Sequence, residues 1–425
     1  MHFRIDLRWR LGNLHRRLRN NHPRRDRPAL CGSRRLPGCP QPRHQRLHRK
    51  APSLRHGLLR SLYRCFRPRR LESAKDSQGA GPDARRRQLI PHLEQDWILI
   101  VNSQQYRLAS QLVDLLHQHI GFYPGYRSVH AQGRYYAGVF TATPQARQIS
   151  RASHFQGKPV PVTIRHSNSP LANPVGPADS VSMAVRFYLA DGTITDLIAL
   201  PITLFFTRTP EETLELLKIA LPDPETGKAN MERVGQFLAE RPSVMRAVGL
   251  RKQLPAAVSF ARTAYHALHA FRFVNEAGAA VYARYHWEPE AGVAMQTLEE
   301  LHREKHTYLF EELEERLNQA PVRFNLVLEL AGEGDSTDDP SAPWPEGRPR
   351  VAVGQLEITR PTTLEEIGDP VMMHDPTRVT DGIELSDDPI LAARRGIYEV
   401  SVAHRTGGWK GRSAALLREG GCPFA

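Results

Sequence analysis

The distribution of charge along this chain decides where a packed core can form. Residues 1–70 hold 21 Lys or Arg against only Asp6 and Asp26, a local net charge of +19, and because the whole 425-residue chain carries +13 the remainder is net acidic at −6. The arginine pairs Arg16-Arg17, Arg24-Arg25, Arg34-Arg35 and Arg69-Arg70 are scattered there among Pro and His without a sustained apolar period. Such a stretch buries too little apolar surface to offset its ordering entropy, and disorder is expected. Two roles fit it: a polyanion-binding tail, whose hold on nucleic acid would weaken steeply with salt and read no sequence, or residues upstream of the true start. It is too rich in Pro and His and too poor in Ser for an organelle transit peptide. No 7–15-residue apolar core follows the first charges and no apolar run approaches 18 residues, so neither a secretory signal nor a membrane span is expected. Cys31, Cys39 and Cys65 lie in the basic stretch and Cys422 near the end, which fits a reducing cytoplasm without structural disulfides. The division read from this is a basic extension over 1–95, a folded domain over 96–410 and a tail over 411–425.

Within the folded part the apolar spacing alternates between two periods. Leu108, Leu112, Leu115 and Leu116 predict a helix over Gln104–His119. Strands are expected at 134–142, 159–167, 181–190 and 194–207, with Asp191-Gly192 as the hairpin turn between the last two. Thr209-Pro210-Glu211-Glu212 is a capping box with proline in the first turn, opening a helix through Leu217. Further strands are expected at 268–275, 279–287, 322–330 and 350–359, a charged helix over Gln296–Leu317, and an acidic loop over 334–348. Strands joined by hairpins, with helices inserted and appended, give the α+β class: an antiparallel barrel or sheet decorated by helices.

Gly382 to Arg405 carries the most pointed pattern. Ser386, Asp387 and Asp388 are N-cap candidates and Pro389 suits a first helical turn. On the helix that follows, Arg394, Tyr398 and Arg405 project within roughly 40° of one another, so two cations flank one phenol. A guanidinium one turn before a tyrosine favours the phenolate over the phenol, whose free pKa is about 10, and a phenolate suits ferric iron. Two upstream blocks add to it: Arg127-Ser128-Val129-His130-Ala131-Gln132-Gly133 followed by Gly138-Val139-Phe140, and the strand-like Pro161 to Ser167.

Together these segments, with Asp375-Pro376, Met183 to Tyr188, Phe205-Phe206 and Phe271 to Trp287 in the same order, resemble the catalase superfamily, closest to its small catalase-related haem peroxidases. The resemblance implies an eight-stranded antiparallel β-barrel with haem held between its wall and the helix bearing the tyrosine. It implies Tyr398 as the axial iron ligand with Arg394 as its charge partner, and Arg127, Val129, Arg165 and Arg405 as further haem-binding residues, the arginines clamping the propionates. His130 would shuttle the proton of hydrogen peroxide, work typically worth about 10²–10⁴-fold, and Ser167 would fix its imidazole. The oxygen–oxygen bond would then break to an oxyferryl intermediate, reduced by an organic donor.

Two departures bear on activity. Leu200 stands where catalases carry a distal asparagine, and Thr213 or Leu214 where an aromatic stacks on the haem edge. Loss of one oriented donor commonly costs about 10²–10³ in rate. The expected enzyme is therefore a peroxidase with weak catalase activity. Conversion of fatty-acid hydroperoxides and non-catalytic haem binding are the competing readings, and oligomeric state is left open.

Overall fold

Asp191-Gly192 turns the chain as its residues require. Gly192 sits at φ +85°, where only glycine is unstrained, and its N–H donates to Leu189 O at 3.0 Å. Asp191 Oδ1 accepts from Thr193 N at 2.9 Å and from its hydroxyl at 2.7 Å, closing the turn from within. The strands leaving this turn begin a sheet that occupies much of the computed structural model, which describes residues 104–168 and 181–407 apart from positions 302 and 306. The basic extension, the tail and all four cysteines lie outside the described residues.

The sheet strands are β1 (Gln132–Ala142), β2 (Val160–Asn168), β3 (Ser182–Tyr188), β4 (Ile194–Ala199), β5 (Tyr265–Val274), β6 (Ala280–Pro289), β7 (Val322–Leu330), β8 (Arg350–Thr362) and β9 (Ile383–Leu385). Their order is β9-β5-β6-β7-β8-β1-β2-β3-β4, antiparallel throughout. The sheet curls until its ends meet. Leu200, just past β4, exchanges backbone hydrogen bonds of 3.0 and 2.6 Å with His266 at the start of β5. Eight strands thus go round, and β9 lines the same edge of β5 farther along. Inside, Phe140 meets Phe187 and Trp287 edge to face, with centroids at 5.3 and 6.2 Å. All three are buried, and fully burying a phenylalanine is worth about 1.5–3 kcal/mol.

The helices are α1 (Gln104–Ile120), α2 (Pro210–Ile219), α3 (Met231–Ala239), α4 (Pro242–Gln253), α5 (Tyr308–Gln319) and α6 (Pro389–Arg405). Thr209 caps α2 by accepting from Glu212 N at 3.2 Å, while Glu212 reaches back to Arg208 N at 2.9 Å. Asp388 is the cap of α6, accepting from Ile390 N at 2.8 Å and Leu391 N at 3.1 Å, with Pro389 in the first turn. Tyr106, Ala109 and Val113 of α1 form a small core with Ile397 and Val400 of α6. Gly396 matters to this contact: a Cβ there would already lie 3.5 Å from that of Ala109. Among the described residues, no helix is long and apolar enough to cross a membrane.

Two expected elements are shorter than read. The strand expected over 194–207 stops at Ala199, because Pro201 has no N–H to extend the ladder beyond the single bridge at Leu200. The helix expected over Gln296–Leu317 divides: Met295–Gln296 pairs with Ala256–Ala257, Leu298–Leu301 is one turn, and α5 starts afresh at Tyr308. Thr297 and Glu300 form a capping box, at 2.8 and 3.2 Å, that closes on itself. The restart lets Leu309, Phe310 and Leu313 reach the barrel core. Helices α3 and α4 were not anticipated.

Candidate active site

Helix α6 joins Tyr398, through half-buried Arg394, to the buried pair His269 and Asp388. Arg394 Nη2 donates to the Tyr398 phenol oxygen, and its guanidinium carbon lies 5.4 Å from the ring centroid. Arg394 Nη1 contacts His269 Nε2 at 3.0 Å, and His269 Nδ1 contacts Asp388 Oδ2 at 2.6 Å. Arginine only donates, so His269 Nε2 must accept and the proton must sit on Nδ1, pointing at the carboxylate. Burial holds the His269 imidazole below its ordinary pKa of 6.5 despite Asp388, which keeps that single tautomer neutral. Phe205, stacked on Phe206 at 4.5 Å, lies with its ring centroid 6.5 Å from that of His269.

A second group gathers three arginines from distant parts of the chain. Arg127 Nη2 donates to Met372 O at 2.6 Å and to the Tyr135 hydroxyl at 3.2 Å. Arg405, at the end of α6, donates to the same Met372 carbonyl at 3.1 Å and to Val371 O at 3.0 Å. Arg165, on β2, sits 5.9 Å from the Tyr135 ring and donates to His130 O at 2.9 Å and Ala131 O at 3.4 Å. Gly133 lies opposite: a Cβ there would come within 2.3 Å of the Arg165 guanidinium, so the arginine passes only because that position is glycine.

Burial and the nearness of like charges both act on Arg165 and Arg405. Burial and then Arg127 push Arg165 down to about 9 and Arg405 down to about 10. Burial would raise the Tyr135 phenol, but Arg127, Arg165 and Arg405 together hold it below its usual value. Arg405 Nε is buried without a hydrogen-bond partner. Three partly buried guanidiniums with one orphaned N–H ask for anionic oxygens, and two carboxylates of a propionate-bearing macrocycle would answer that demand. The Tyr398 phenol oxygen, accepting a hydrogen bond from Arg394, is an oxygen donor of the kind that ferric iron can take.

The remaining residues singled out by sequence fall as follows. His130 is half-buried at φ +53°, the one positive φ outside glycine among the described residues. Val129 is 38% exposed. Ser128 ties this segment to α6, its Oγ 2.9 Å from that of Ser401, which lies one turn beyond Tyr398. The Ser167 hydroxyl is buried 2.5 Å from Ser182 Oγ. Leu200 lies at the barrel seam. Thr213 is buried with its hydroxyl 2.5 Å from that of Thr207, inside the cap of α2. Three residues escaped sequence reasoning: His269, Asp388 as anything beyond a cap, and His374. His374 is buried with neither ring nitrogen hydrogen-bonded, and burial followed by the field of Arg127, Arg186, Arg165 and Arg378 keeps it neutral.

Comparison with known proteins places this geometry. The family model for catalase matches residues 104–410. A catalase-related peroxidase of Mycolicibacterium paratuberculosis is 39% identical over 310 residues, covering 72% of this chain and 96% of that protein. A catalase-related peroxidase of Synechococcus elongatus is 30% identical, covering 70% of this chain and 88% of that one. In three dimensions the chain is similar to a solved bacterial catalase, with a TM-score of 0.57 at 20% identity; the match covers 79% of this chain and 64% of the catalase.

Proposed function

The chain belongs to the catalase family, and from that premise we propose that it is a haem-dependent peroxidase that reduces hydrogen peroxide with electrons from an organic donor and has weak catalase activity. The observation that carries the reading is the relay Tyr398–Arg394–His269–Asp388. It fixes a guanidinium on the phenol oxygen, because a neutral imidazole of fixed tautomer holds that guanidinium from behind.

Haem, when bound, supplies the redox chemistry of peroxide cleavage. Of the protein's own residues, Tyr398 would be the ligand to the metal, with Arg394 as its hydrogen-bond and charge partner. Arg127, Arg165 and Arg405 would hold the propionates; burial, and after it the charge of Arg127, brings Arg165 down to about 9 and Arg405 down to about 10. His130 would accept the proton from one oxygen of hydrogen peroxide and return it to the other as the bond between them breaks; the Arg165-bound backbone holds its segment, and Ser167 keeps the supporting role that the family resemblance gives it. Leu200 cannot donate a hydrogen bond to a second peroxide, which leaves an organic donor as the favoured source of electrons.

The test is turnover by the haem-reconstituted full chain. Hydrogen peroxide with an aromatic donor should give sustained donor oxidation. Consumption of a lipid hydroperoxide without any donor, in place of that oxidation, would favour the hydroperoxide-converting reading. No turnover in either assay would leave haem binding alone.

A further inference from the structure

Away from the arginine cluster, α1 and the last turn of α6 bring together two imidazoles and a carboxylate. Asp114 and His117 stand three apart on α1 and so share a face. His404 comes from the final turn of α6, its ring centroid 5.2 Å from that of His117 and tilted by 34°. One ligand atom from each of the three lies within 4.8 Å of the others. Ligands at 2.0–2.1 Å around a tetrahedral ion stand about 3.3 Å apart, so small side-chain rotations close the remaining distance.

We infer that Asp114, His117 and His404 form a binding site for one divalent transition-metal ion, of which zinc best matches a two-imidazole, one-carboxylate set with a fourth position left to water. The surroundings suit a built site. His117 Nε2 is 2.9 Å from Ser128 Oγ, so its Nδ1 is the nitrogen for the metal and Nε2–H is the donor that orients the ring. Ser128 Oγ is held in turn by Ser401 Oγ at 2.9 Å. Phe122 packs edge-on against His117 at 4.9 Å, giving the site one apolar wall, while exposed Asp114 gives it an opening to solvent. The ion would pin α1 to α6 and, through Ser128, steady the segment that carries His130. Binding there requires no haem and no turnover.

Zinc titration of the full chain by calorimetry, beside the variants Asp114→Asn, His117→Ala and His404→Gln, tests this. The histidines and cysteines of residues 1–70 are common to all four proteins and cancel in the comparison. The natural chain should bind one zinc ion more than each variant, or bind it at least tenfold more tightly, and zinc should raise its thermal midpoint but not theirs. Asp114→Asn changes an exposed side chain, so it tests the site even if a histidine variant misfolds. Equal stoichiometry and affinity in the natural chain and Asp114→Asn, with no difference in thermal response, would overturn the inference.

Discussion

Asp388 serves two masters with two oxygens: Oδ1 caps helix α6 at Ile390 and Leu391, and Oδ2 takes the Nδ1 proton of His269 at 2.6 Å. The start of the helix and the tautomer of the imidazole behind Arg394 are therefore set by one carboxylate. Tyr398 is reached from it through His269 and Arg394 without a gap.

Asp388→Asn should separate these two duties. Asparagine is a good N-cap, so α6 should persist, with a stability loss no greater than the roughly 0.5–2 kcal/mol a poor cap costs. An amide N–H facing His269 Nδ1 would instead drive the imidazole to its other tautomer and turn a proton toward Arg394. Peroxidase turnover should fall by at least tenfold with circular dichroism unchanged. Retained turnover would show that the tautomer does not matter.

Acid should unfold this protein through its buried histidines. Burial pushes His154, His166 and His266 down to about 3, from an ordinary 6.5, and also lowers His269 and His374. Between those values the unfolded chain binds protons that the folded one refuses. Their contribution is thus fully present above about pH 6.5 and is lost as pH falls toward 3, at about 1.4 kcal/mol per pH unit for each proton. Urea midpoints measured from pH 7 to 4 should fall steadily; a flat profile would contradict the burial described.

Arg405→Gln should have opposite effects on the haem-free and haem-loaded protein. Removing one cation relieves Arg127 and Arg165, so haem-free stability should hold or rise. A lost charged hydrogen bond is worth about 1.5–3 kcal/mol, so haem affinity should drop roughly 10- to 100-fold. Haem titration and thermal denaturation read the two sides; an unchanged affinity would remove Arg405 from the propionate clamp.

Leu200→Asn should shift the balance of activities. The backbone of residue 200 is held at the barrel seam by two hydrogen bonds to His266, whatever side chain it carries. Restoring a donor should raise oxygen release from hydrogen peroxide alone by at least tenfold, one oriented donor contributing up to about 10²–10³. Unaltered oxygen release would remove Leu200 as the cause of weak disproportionation.

The legible parts of this molecule are those whose cause is local. Asp191-Gly192 turns by its own φ and side chain, Thr209 and Asp388 cap by reaching three residues or fewer, and the spacing of Arg394 and Tyr398 is a helical repeat. The antiparallel sheet follows from the same hairpins, while its eightfold closure came from the family resemblance, since the Leu200–His266 bridge joins strands 66 residues apart only after the sheet has curled. His269 was hidden for the same reason. It lies 119 residues from Asp388, on a strand whose other residues read as barrel wall, and nothing local distinguishes it among 19 histidines. The helix read over Gln296–Leu317 failed because a continuous amphipathic pattern does not show that its two halves pack on different neighbours.

Tyr398 as the iron ligand is the claim on which the rest stands, and absorption spectra of the haem-reconstituted protein and of Tyr398→Phe test it most directly. A high-spin ferric tyrosinate spectrum is expected in the first and its disappearance in the second. Identical spectra would contradict it.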